Sequence, residues 1–64
     1  MAEYKLYFLN LQGEIQVRVD LVCGDDEEAA FTARGAADGR AMELWQGERF
    51  VAKFDRKPGT HQPS

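Results

Sequence analysis

Between Ile15 and Leu21 the chain alternates strictly: Ile15, Val17, Val19 and Leu21 are apolar, and Gln16, Arg18 and Asp20 between them are polar. Period two with one dry and one wet side predicts a half-buried strand. Tyr4 to Leu9 repeats the pattern, with Tyr4, Leu6 and Phe8 on one face and Lys5, Tyr7 and Leu9 on the other. Asn10-Leu11-Gln12-Gly13 separates the two with residues that accept a tight reversal. A two- or four-residue connection pairs Phe8 with Ile15 and Leu6 with Val17, so both apolar sets share one face. Further on, Ala41 to Leu44 reads as a third strand with Met42 and Leu44 inward, and Phe50, Ala52 and Phe54 mark the inner side of a fourth. A two-residue turn would set Trp45 beside Phe50 and expel Leu44. A three-residue loop, Trp45-Gln46-Gly47, keeps Leu44 inside and gives Gly47 the left-handed position of a bulged hairpin. That reading leaves Trp45 half exposed at the tip.

In the middle the period changes. Asp25 to Gly39, DDEEAAFTARGAADG, is read as the only helix. Asp25 is a good N-cap, Glu28 completes a capping-box pair, and the acidic first turn opposes the helix dipole. Ala29, Ala30, Ala33, Ala36 and Ala37 fall within a stripe of about 120°, a flat lid for a sheet. Phe31 projects almost opposite, either exposed or rolled into the core edge beside Ala30. Gly39 is placed at the left-handed C′ position. The expected order is β-β-α-β-β: an α+β fold, one helix on one face of a four-stranded, mainly antiparallel sheet. Residues 1–55 are expected to form the domain, and 56–64 a disordered tail.

With 64 residues there is one domain, and chains this short bury only about 60% of the surface their unfolded form exposes. Such folds are commonly reinforced by disulfides, metals or association. Cys23 is the only cysteine, and one cysteine with one histidine in the whole chain leaves a structural zinc site short of ligands. Association is the reinforcement that remains. A net charge of −3 argues against a general polyanion binder. The absence of a long apolar run or an export leader predicts a cytoplasmic protein.

Candidate chemistry is sparse. His61 sits in the expected tail, far along the chain from Cys23, and a nucleophile and its base need rigid mutual support. Cys23, between a strand and the helix, reads as a small buried or junction residue. Asp25, Asp26, Glu27 and Glu28 fan out around a helix and cannot converge on one cation, so they read as capping. No glycine pattern forms a phosphate cradle. No catalytic, cofactor-binding or metal residue is expected, and the protein is read as non-enzymatic. The outer sheet face is expected to carry Lys5, Tyr7, Leu9, Arg18, Val22, Arg49, Val51 and Lys53, with Trp45 near its rim and Glu14, Asp20 and Glu43 balancing the charge. Phe31, Trp45, Tyr7, Arg18 and Arg49 form the candidate interaction surface of a small module for an unknown protein partner or a second copy. The alternative is weak single-stranded nucleic-acid binding, with bases stacked on the outer face.

Tyr4-Lys5-Leu6-Tyr7-Phe8-Leu9, the acidic-alanine run Asp25 to Ala29, and Glu43-Leu44-Trp45-Gln46-Gly47-Glu48-Arg49 together resemble a group of short, uncharacterised bacterial proteins. Those begin with a YxxYFL-like strand and end in an ELWxGxR hairpin. The resemblance covers most of residues 4 to 54 and implies the same architecture, without an activity.

Overall fold

In a computed structural model, which describes residues 1–56, the expected order of elements holds. Strands β1 (Ala2–Leu9) and β2 (Ile15–Cys23) precede helix α1 (Asp26–Gly35), and β3 (Met42–Gln46) and β4 (Arg49–Phe54) follow it. The strands form one antiparallel sheet in the order β2-β1-β3-β4. β1 and β3 are therefore central, and β2 and β4 are the edges. Apart from Arg56, the segment read as a tail, with His61, lies outside the described residues.

The core sits between sheet and helix. Tyr4, Leu6, Phe8, Met42 and Leu44 from the central strands meet Cys23, Ala29 and Ala33, and Leu6, Leu44 and both alanines are fully excluded from solvent. Small alanine side chains let the helix lie close to the sheet, so little apolar area is spread over a short contact. Cys23 belongs to this core, as its junction position suggested.

The helix starts as expected and ends early. The Asp25 carboxylate accepts from the Glu28 N–H at 2.8 Å, and Glu28 reaches back to accept from the Gly24 N–H at 2.7 Å. The last helical residue is Gly35, not a residue near Gly39, and the Ala36 N–H is shared between the carbonyls of Thr32 and Ala33. Glycine is a poor helix residue. Beyond it Asp38 takes over the backbone, accepting from the Arg40 N–H at 3.1 Å. Ala36 and Ala37 are consequently exposed, which shortens the expected stripe to Ala29, Ala33 and the half-buried Ala30. Gly39 keeps its positive φ of 98° but serves the connection to β3.

Both hairpins depart from the expected register, each through one β-bulge. In the first, Phe8 faces Val17 and Leu6 faces Val19, one pair beyond the sequence reading. The connection is wider because the Asn10 side chain accepts from the N–H groups of Gln12 and Glu14, both at 2.9 Å. The ladder then slips at Gln16, so Ile15 pairs with Leu9 and turns to the helix-free face, 59% exposed. In the second hairpin the turn is the two-residue one, Gly47-Glu48. Trp45 pairs with Phe50, as that turn requires, yet Leu44 stays buried opposite Ala52 because Val51 is an extra residue. A bulge lets two successive residues oppose one, which restores the alternation. Phe50 is thus moved to the outer face, and Val51 packs toward the core. Trp45 lies within β3, not at the tip.

Candidate functional site

The helix-free face is where the displaced residues collect. Trp45 and Phe50 meet edge to face, with ring centroids 5.3 Å apart and planes at 76°. Such aromatic pairs contribute beyond the area they bury. The Trp45 indole N–H donates to a Glu43 carboxylate oxygen at 3.1 Å, which orients the ring along its own strand. Tyr7 lies beside Glu43 on the neighbouring strand. Leu9 is buried without belonging to the helix-side cluster, and Ile15 is opposite it. Tyr7, Ile15, Glu43, Trp45, Gly47 and Glu48 line an open cleft of about 370 Å³. Its floor is apolar and its charged lining is acidic.

On the β2 side of the same face the charges are paired. Lys5 holds Asp20 at 3.0 Å, and Arg18 approaches the same carboxylate at 3.9 Å. The Lys5 ammonium is the main reason the Asp20 pKa lies below the usual carboxylate range.

Arg49 is not on this face. Its guanidinium reaches the first turn of the helix and grips both carboxylate oxygens of Asp26, at 2.8 and 2.9 Å. Tyr4 donates its phenol to the same carboxylate at 2.8 Å. Bidentate Arg–carboxylate pairs are among the stronger charge-assisted contacts. Arg49, then Tyr4, depress the Asp26 pKa from 3.8 to about 2. In return Asp26 raises the pKa of both the phenol and the guanidinium. Arg49 is thus a clasp between the last strand and the helix N-terminus. The sequence contained one sign of it: a tyrosine at a core position needs a partner for its hydroxyl.

Phe31 projects from the back of the helix, 73% exposed, among Asp25, Glu27, Glu28 and Arg34. The expected surface is therefore divided. Tyr7, Arg18 and Trp45 share the helix-free face, Phe31 lies on the opposite side of the molecule, and Arg49 is committed to Asp26. Ile15 and Phe50 join the face instead. Sequence reading missed them because a bulge has no residue signature of its own.

A second concavity, about 420 Å³, opens beyond the helix C-terminus between Arg34, Arg40, Met42 and Phe54. Arg40 is already engaged there: it pairs with Asp38 at 2.6 Å, donates to Gln16 at 3.2 Å and lies 4.8 Å over the Phe8 ring. That arrangement closes the open end of the core. Among the described residues no helix is long and apolar enough to cross a membrane, and no cluster of three metal-ligating side chains occurs. No protein-family model, curated protein or solved structure matches the chain.

Proposed function

We propose that this protein is a small non-catalytic module that binds another polypeptide on the helix-free face of its sheet. The observation that carries the reading is that both bulges turn a large apolar residue, Ile15 and Phe50, away from the core and onto the face that carries Tyr7 and Trp45. Aromatic anchors in a shallow depression are the usual energetic centre of a protein interface. Glu43 and Glu48, the charged residues of the cleft, select for a partner segment that carries an apolar side chain next to a lysine or arginine. The same two carboxylates, and the withdrawal of Arg49, weigh against a nucleic acid on this face.

Titration of the isotopically labelled protein with short peptides separates these cases. An apolar peptide bearing Lys or Arg is expected to shift the amide signals of Tyr7, Ile15, Trp45 and Phe50. Trp45→Ala should weaken that binding by roughly tenfold or more, as loss of a central anchor does, and Phe31→Ala should leave it unchanged. Shifts centred on Phe31, or a response only to a mixed-sequence oligonucleotide at low salt, would remove the reading.

A further inference from the structure

β2 is an edge strand of nine residues, and the neighbouring ladder decides which of its backbone groups are open. In an antiparallel strand the N–H and C=O of one residue point to the same side, and successive residues alternate. The Leu9 N–H donates to the Ala41 carbonyl at 2.9 Å. Leu9, and with it Lys5 and Tyr7, therefore bond toward β3. Tyr4, Leu6 and Phe8 bond toward β2, where they face Leu21, Val19 and Val17. The N–H and C=O groups of Arg18, Asp20 and Val22 are left pointing away from the sheet, while the bulge at Gln16 interrupts the alternation before them. Natural edges are commonly blunted by proline, charge or a bulge. This strand has no proline, its bulge lies at its start, and from Val17 to Cys23 it is regular, with charges of both signs at Arg18 and Asp20.

We infer that this edge pairs with the same edge of a second copy, antiparallel, about a two-fold axis through Val19, so that two four-stranded sheets become one. Val19 is the midpoint of Ile15–Cys23. In that register Arg18 lies opposite Asp20 of the second copy, so the open backbone groups of these two residues meet their counterparts twice about the axis. The symmetry makes two Arg18–Asp20 pairs. Both side chains are well exposed in the single copy, at 61% and 64%, and opposite charges directly across strands stabilise a sheet. On the helix side Val17 meets Leu21 and Val19 meets itself, which covers the 40% of Val17 now in solvent. Neighbouring registers are worse. An axis through Val17 sets Asp20 against Glu14, and an axis through Leu21 sets it against Val22 and leaves Arg18 beyond the strand. The inference stands independently of the proposed peptide site, because it uses the strand edge and not Trp45 or Phe50.

A charge exchange tests it. Sedimentation from micromolar to millimolar should show the protein passing from monomer to dimer. Arg18→Asp alone places like carboxylates opposite one another, and Asp20→Arg alone places like guanidiniums there, so each variant should associate roughly tenfold or more weakly. Mixed in equal amounts, the two variants are complementary across the interface and should recover the dimer. Amide exchange at Arg18 and Asp20 should slow with rising concentration in the wild type. A wild type that stays monomeric at millimolar concentration, or single variants that dimerise as well as it does, would overturn the inference. Trp45→Ala should not affect the dimer, which distinguishes this failure from that of the peptide site.

Discussion

Leu6→Ala is expected to cost about 2–5 kcal/mol, the range of buried leucine truncations, and to leave the protein barely folded. Leu6 is fully buried at the centre of β1, with Val19 on one side and Leu44 on the other. The void cannot close easily. Ladders on both sides hold β1 in place, and the lid above offers only the methyl groups of Ala29 and Ala33. At about 0.05–0.15 kcal/mol per residue, a chain of this length has roughly 3–10 kcal/mol in total. With a denaturation slope near 1 kcal/mol per molar urea for so small a domain, the midpoint should fall by about 2 M or more. The control is Phe31→Ala, which should stay within about 0.5 kcal/mol because that ring is mostly in water. Urea unfolding followed by Trp45 fluorescence measures both. A loss below about 1 kcal/mol for Leu6→Ala would mean the core is not packed as described.

The second large effect is a dependence on pH. Asp26 is held at a pKa of about 2 by Arg49 and Tyr4, against 3.8 unperturbed. A carboxyl group whose folded pKa is depressed stabilises the fold when the pH is above its unfolded value, and that contribution disappears as the pH falls through the folded value. The difference in stability between the wild type and Asp26→Asn should accordingly be full above pH 4, shrink between pH 4 and 2, and vanish below. Asp20 and Asp38 are depressed in the same direction by Lys5 and Arg40, so the wild type alone would show a composite acid transition. The difference curve isolates the clasp. Thermal unfolding of both proteins across pH 2–6 gives it, and a constant offset over that interval would show that the charge of Asp26 contributes nothing. Arg49→Gln should reproduce most of the loss, since two residues acting through one contact are not additive.

The parts of this fold that were legible are those where one rule applies without interruption. Period two placed Tyr4, Leu6, Phe8, Val19, Leu21, Met42 and Leu44 on a common face, and the Asp25–Glu28 pair located the start of the helix. The misplaced residues lie just past an interruption. Phe50, Ala52 and Phe54 alternate in the sequence, which places Phe50 in the core, yet Val51 breaks the count between them. The same alternation groups Ile15 with Val17, and there Gln16 is the extra residue. Arg49 followed its neighbours onto the wrong face. The glycine at 39 has the backbone expected of it, but Gly35 and the Asp38 carboxylate had ended the helix before it. The candidate face was thus recognisable by type, as open sheet with Tyr7 and Trp45, and not by membership.

The bulge at Val51 also gives the last strand a tolerance for length that the central one lacks. With that residue removed, Phe50 still meets Trp45 and Ala52 still meets Leu44, because the remaining positions already count evenly. Shortening β1 by Lys5 instead would exchange the two sides of everything on one side of the cut, since no spare position exists there to absorb it. Near-ultraviolet dichroism, sensitive to the paired indole and phenyl rings, should therefore survive the first deletion and be lost in the second.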